Sequence, residues 1–119
     1  MANFKRFIES FKNAFKGLGQ AFRYEQSFQF QIVVAIIVIV LSFCYGLRAW
    51  EKISLILVIS FVLVLELINT IFEKLSDILK PRIHSYIKDI KDILAATVLI
   101  ASIAAIIIGL LIFWPHVFK

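Results

Sequence analysis

Residues 93–114 (ILAATVLIASIAAIIIGLLIFW) form a continuous apolar run that contains no charged side chain. A helix that crosses the hydrocarbon core of a bilayer needs about 20 such residues. Two further stretches approach or reach this length, residues 30–47 (FQIVVAIIVIVLSFCYGL) and residues 53–72 (ISLILVISFVLVLELINTIF). Because lipid offers the backbone no hydrogen bonds, each stretch is predicted to be a helix. The chain, residues 1–119, is therefore predicted to be one all-α membrane domain with three transmembrane spans.

The composition supports a lipid environment and excludes several other classes of protein. Hydrophobic residues make up 61% of the 119 residues and charged residues only 18%, against about 45–50% and about 25% in soluble domains. A chain this short cannot bury that excess in an aqueous core. The abundance of Ile, Leu and Phe excludes a disordered chain. The single cysteine, Cys44, excludes an internal disulfide framework, and with only two histidines a zinc site is not expected.

Residues 3–23 precede the first span and are predicted to form an amphipathic helix at the membrane surface. Apolar side chains recur there at spacings of three and four, and basic side chains occupy the other faces, a pattern typical of interfacial helices. A signal peptide is not expected, because the first long apolar run starts only near residue 30. The apolar face consists of Phe4, Phe7, Ile8, Phe11, Phe15, Leu18 and Phe22.

The distribution of basic residues predicts the topology. Ten of the 13 Lys and Arg residues lie before the first span or between the second and third spans. By the positive-inside rule, the N-terminus is then cytoplasmic and the C-terminus non-cytoplasmic. Trp50 and Trp114 fall near the opposite interface, where aromatic residues are enriched.

Glu66 lies inside the second span, about two turns from its cytoplasmic end. An ionisable residue at that depth costs at least about 2.5 kcal/mol on insertion scales, so it indicates a functional site. Asn69, Glu73 and Asp77 follow at spacings that place all four side chains within a stripe about 80° wide on one helix face. Three carboxylates on one face repel each other unless cations join them. The arrangement suits a Mg²⁺ ion that is shared with phosphate groups.

The residues alone leave three functions open. A kinase and a proton-coupled transporter both use an intramembrane carboxylate, and a non-catalytic subunit uses polar side chains to join helices. A transporter has no reason to place Lys91 and Asp92 at the cytoplasmic boundary beside the acidic stripe. A P-loop is not recognisable, and Gly17 and Gly19 lack the third glycine of a G-x-G-x-x-G loop, because residue 22 is Phe.

Three polar motifs occur in order along the chain. They are SFKNAFKG (10–17) followed by EQSF (25–28), then ELINTIFEKLSD (66–77), and then His84 with Lys91 and Asp92 seven and eight residues later. In these motifs the chain resembles the small bacterial integral-membrane diacylglycerol kinases, a family that includes undecaprenol kinases. The resemblance covers nearly the whole chain.

The resemblance implies a homotrimer in the bacterial cell membrane with active sites shared between subunits. The implied reaction transfers the γ-phosphoryl group of ATP, with Mg²⁺, to the primary hydroxyl of a lipid. Diacylglycerol is the expected acceptor and phosphatidic acid the product, with undecaprenol as the alternative acceptor.

The resemblance also implies a role for each motif residue. Glu66 would be the general base and would contact the lipid, Asn69 would orient Glu66 or the acceptor hydroxyl, and Arg6 and Ala14 would lie beside the lipid headgroup. Glu25 and Glu73 would bind Mg²⁺. The residues implied in nucleotide binding are Asn13, Glu25, Glu73, Asp77, Arg82, His84, Lys91 and Asp92.

Overall fold

The computed structural model describes residues 2–79 and 84–118, which form four α-helices. The helices are α1 (Ala2–Tyr24), α2 (Gln26–Cys44), α3 (Ala49–Leu79) and α4 (His84–Val117). The prediction of an all-α protein is confirmed for the described part of the chain. Helices α2 and α3, and α4 from Tyr86 onward, are each long and apolar enough to cross a membrane.

Two of the predicted spans lie wholly within longer helices. The first predicted span, 30–47, continues three residues beyond the end of α2. Stretches 53–72 and 93–114 lie wholly within α3 and α4, whereas α2 ends at Cys44 and leaves residues 45–47 in a turn. The backbone at Gly46 has φ +60°, a left-handed conformation that glycine adopts without a Cβ clash. The Leu47 N–H donates to the Ser42 carbonyl at 3.2 Å, which caps the end of α2.

Glu25 separates α1 from α2, because its extended backbone (φ −109°, ψ 108°) interrupts the helix. The side-chain amide of Gln29 donates to the carbonyl of Phe22 at 2.6 Å and so satisfies one of the last carbonyls of α1. The chain therefore bends at Glu25, at the junction between the N-terminal helix and the first apolar helix.

The three apolar helices pack side by side, with α3 mainly against α4 and less against α2, while α1 contacts α2. A small core forms where Leu47, Leu55 and Ile112 are buried together. Most large apolar side chains on the four helices remain exposed. Lipid or further protein must cover these surfaces, because exposed apolar area of this extent is unfavourable in water.

A second contact lies near this core and joins the beginning of α3 to the end of α4. The Glu51 side chain is buried and its Oε1 accepts a hydrogen bond from the Arg48 N–H at 2.8 Å. The imidazole Nε2 of His116 lies 3.2 Å from the same oxygen. These contacts hold the two helix ends together.

Candidate functional site

The acidic stripe of α3 consists of Glu66, Asn69, Glu73 and Asp77, and its side chains become more exposed toward the C-terminal end of the helix. Glu66 is buried at 7% exposure, Asn69 and Glu73 are half-buried, and Asp77 is exposed. The gradient arises because the α3 surface around Glu66 is covered by α2. The stripe thus runs from a buried carboxylate to an open surface.

Two hydrogen bonds surround Glu66. The side-chain amide Nε2 of Gln31 in α2 donates to Glu66 Oε2 at 3.5 Å, and the hydroxyl of Thr70 donates to the Glu66 backbone carbonyl at 3.1 Å. Gln31 was not among the site residues predicted from the amino-acid sequence. The available signal was an amide side chain at the second position of the otherwise apolar stretch 30–47.

Asn69 contacts a different acid from the one expected. Its side-chain amide donates to Glu73 Oε1 at 3.2 Å, a contact between residues one helical turn apart. This hydrogen bond restrains Glu73, the residue predicted to bind Mg²⁺. The role of Asn69 toward Glu66 or the acceptor hydroxyl stays a prediction.

Glu25, at the bend between α1 and α2, belongs to the same charged region as the stripe. The carboxylates of Glu25 and Glu73 both lie close enough to Glu66 for their negative charges to act on it. Among the described residues, no three acidic, His or Cys side chains are grouped so that they could hold a metal by themselves. Mg²⁺ commonly binds one or two carboxylates together with substrate phosphates and water, so Glu25 and Glu73 fit as its protein ligands.

The other predicted site residues are distributed over α1 and the start of α4. Lys91 is half-buried and Asp92 exposed on α4, while Arg6, Asn13 and Ala14 are exposed on α1. Within residues 2–79 and 84–118, no side-chain hydrogen bond joins α1 to the acidic stripe. Arg82 lies outside the described residues, as does the side chain of His84, the residue at which α4 begins.

An apolar groove of about 410 Å³ runs between α2, α3 and α4. Its lining begins at Phe30 and Gln31, continues past Leu63 and Leu55, and ends at Phe113. Gln31 therefore contacts both the groove and the carboxylate of Glu66. An apolar groove with one polar end suits a molecule that has a hydrocarbon chain and a polar head.

Comparisons with known proteins identify the family of the chain. The undecaprenol kinase of Bacillus subtilis (strain 168) is 36% identical over 110 residues, which cover 92% of this chain and 89% of the relative. The diacylglycerol kinase of Escherichia coli (strain K12) is 28% identical over 113 residues, covering 95% and 93%. A Synechocystis diacylglycerol kinase is 33% identical over 103 residues, covering 86% of this chain and 59% of the relative. Residues 12–113 match the family described as prokaryotic diacylglycerol kinase, and the chain belongs to that family.

Proposed function

We propose that the protein transfers the γ-phosphoryl group of ATP to the primary hydroxyl of a membrane lipid alcohol. The family assignment makes the chain a membrane-bound lipid kinase with ATP as its co-substrate. The observation that carries the proposed reaction is the buried carboxylate of Glu66, which is hydrogen-bonded to a residue that lines an apolar groove. The groove takes the hydrocarbon part of the lipid and places its hydroxyl beside Glu66.

Glu66 acts as the general base in this reaction. Its carboxylate accepts the proton of the lipid hydroxyl while the hydroxyl oxygen forms a bond to the γ-phosphorus. The bond between the γ-phosphorus and the bridging oxygen breaks, and ADP leaves with that oxygen. Phosphoryl transfer of this kind depends on the positioning of the reactants and on the neutralisation of their charge. The neighbouring residues provide both.

Glu25 and Glu73 would hold the Mg²⁺ ion that accompanies the nucleotide phosphates. A bound Mg²⁺ ion neutralises charge on the transferred group. The Asn69 amide restrains the Glu73 carboxylate, which supports a fixed ligand at that position. The Lys91 ammonium contacts phosphate. The remaining nucleotide contacts are assigned to Asn13, Asp77, Arg82, His84 and Asp92.

We propose undecaprenol as the acceptor in place of diacylglycerol, the acceptor expected from the sequence, and diacylglycerol stays the second candidate. Identity is 36% to an undecaprenol kinase, against 28% and 33% to two diacylglycerol kinases. Both acceptors present a primary hydroxyl on a long hydrocarbon body, so the apolar groove suits either. Arg6 and Ala14 of α1 are assigned to the headgroup side of the lipid.

The proposed assembly is a homotrimer with its N-terminus in the cytoplasm and its C-terminus outside. The distribution of Lys and Arg residues supports this orientation. The phenylalanines of α1 are exposed and supply an apolar face for the membrane surface. Large exposed apolar areas on α2, α3 and α4 supply surfaces for neighbouring subunits and for lipid.

A reconstitution assay tests the proposed reaction. The purified protein in lipid vesicles receives Mg²⁺, radiolabelled ATP and either undecaprenol or dioleoylglycerol, and the lipid extract is separated by chromatography. We expect labelled undecaprenyl phosphate in excess over labelled phosphatidic acid. The reverse ratio would make diacylglycerol the acceptor. Proton movement across the vesicle membrane without any labelled lipid would contradict the kinase and favour a proton-coupled transporter.

A further inference from the structure

Gln31 occupies an unusual position for an uncharged polar residue. It lies in the first two turns of α2, it is half-buried, and it lines the polar end of the apolar groove. Its amide nitrogen donates to Oε2 of Glu66, which lies 35 positions away in the sequence. Its amide oxygen is buried and has no hydrogen-bond partner among the described residues.

We infer that Gln31 is a positioning residue for the carboxylate of Glu66, a role that rests on the proposed function of Glu66 as the base. The hydrogen bond from Gln31 engages Oε2 and leaves Oε1 of Glu66 to accept the proton from the lipid hydroxyl. Within residues 2–79 and 84–118, Oε1 accepts no side-chain hydrogen bond. One carboxylate oxygen is thereby held and the other is available to the substrate.

The amide group suits both protonation states of the base. A carboxylate only accepts hydrogen bonds, whereas a protonated carboxyl group also donates one. The Gln31 side chain offers an N–H donor to the carboxylate before proton transfer. After transfer the proton lies on Oε1, so Oε2 remains an acceptor and keeps the hydrogen bond from the Gln31 amide.

The electrostatic surroundings make a donor at this point important. The charges of Glu25 and Glu73 act on Glu66 from the bend before α2 and from the next turns of α3. In the described residues, the side-chain hydrogen bond to the Glu66 carboxylate comes from Gln31. A neutral amide supplies this donor without adding a second charge to an apolar span.

The test replaces Gln31 by methionine, which has nearly the same length and no amide. In vesicles with Mg-ATP and the lipid alcohol, we expect Gln31→Met to lower kcat roughly tenfold, because a hydrogen bond to a charged group is lost. The KM values for lipid and Mg-ATP should stay near those of the wild type. Gln31→His keeps a ring N–H at similar reach and should restore most of the turnover. Gln20→Met, on the exposed surface of α1, is the matched control and should leave turnover unchanged.

A double-mutant cycle separates positioning from packing. If Gln31 acts through Glu66, Gln31→Met should cause no further loss in a Glu66→Gln background, because the positioned group is already gone. Multiplicative losses in the double variant, or a kcat of Gln31→Met within about twofold of wild type, would overturn the inference. Full activity of Glu66→Gln would instead overturn the proposed base, so the two failures are distinguishable.

A second substitution keeps the test decisive if Gln31→Met assembles poorly. Gln31→Asn retains the amide and its polarity but is one methylene shorter, so it loses reach to Glu66. We expect a similar fall in kcat per assembled protein, measured after size-exclusion chromatography. Wild-type turnover in this variant would contradict the role of Gln31.

Discussion

The imidazole Nε2 of His116 lies 3.2 Å from Oε1 of Glu51, and this contact joins the last turns of α4 to the first turn of α3. The same carboxylate oxygen accepts the backbone N–H of Arg48, so one buried side chain holds the preceding turn and the end of α4. The contact belongs to the end of α3 that is remote from the acidic stripe.

Removal of the Glu51 carboxylate should therefore lower stability without changing the chemistry. In Glu51→Ala, the Arg48 N–H and the His116 ring lose their acceptor, and an unpaired polar group in a buried place is unfavourable. We expect a lower midpoint of thermal unfolding in detergent, measured by circular dichroism, with unchanged lipid phosphorylation per assembled protein. Glu9→Ala on exposed α1 is the control. An unchanged midpoint in Glu51→Ala would show that the contact contributes little.

Replacement of the proposed base should abolish most of the reaction. Glu66→Gln keeps the size and hydrogen-bonding capacity of the side chain but cannot accept the proton at neutral pH. Because general base catalysis contributes about 10²–10⁴-fold, we expect at least about a 100-fold loss of lipid phosphorylation. Assembly and Mg-ATP binding should persist. Glu9→Gln makes the same chemical change on exposed α1 and should behave as wild type.

The opposite pattern for Glu66→Gln would assign the residue a structural role. In that case assembly would be disturbed while turnover per assembled protein stayed near the wild-type value. The measurement is transfer of labelled phosphate per assembled oligomer, with wild type and variant in bilayers of the same composition.

Loss of the Glu73 carboxylate should weaken the use of Mg²⁺. In Glu73→Gln one of the two proposed ligands loses its charge, so a higher Mg²⁺ concentration should be needed for half-maximal turnover. The measurement is a Mg²⁺ titration of lipid phosphorylation at fixed ATP. Asp89→Asn, an exposed acid near the start of α4, should give the wild-type curve. If Glu73→Gln also gives that curve, Glu73 is not a magnesium ligand.

Substitution of Asn69 distinguishes a role toward Glu73 from the predicted role toward Glu66 or the acceptor hydroxyl. Its amide is hydrogen-bonded to Glu73, so Asn69→Leu should shift the Mg²⁺ titration in the same direction as Glu73→Gln, though less. If Asn69 orients Glu66 or the acceptor hydroxyl instead, kcat should fall at saturating Mg²⁺ with no shift of the titration. The two readouts come from one set of assays.

The orientation in the membrane can be tested directly. A tag that carries a cysteine or a protease site is placed after Lys119. It should be accessible to a thiol reagent or a protease only from the non-cytoplasmic side of intact cells. The reason is the excess of Lys and Arg before the first span and between the second and third spans. Labelling from the cytoplasmic side would reverse the predicted topology or change the number of spans.

Hydropathy and helical periodicity were sufficient to predict the helices and the acidic stripe from the sequence. Three apolar runs predicted three long apolar helices, and the spacing from Glu66 to Asp77 predicted one polar face. Both are local properties, because residues in one helix have a fixed geometry. Even the Asn69–Glu73 contact, four residues apart, follows from this geometry, although a different partner was expected for Asn69.

The contacts between helices were decided by tertiary structure. Gln31 reaches Glu66 and His116 reaches Glu51 only because α2, α3 and α4 pack with particular faces together. A nearly uniform apolar helix has no strong periodicity to indicate which face meets its neighbour. The amino-acid sequence therefore determined which segments are long and apolar enough to cross a membrane and where the buried carboxylate lies. Helix packing decided which amide holds that carboxylate, because the choice depends on the rotation of one helix against another.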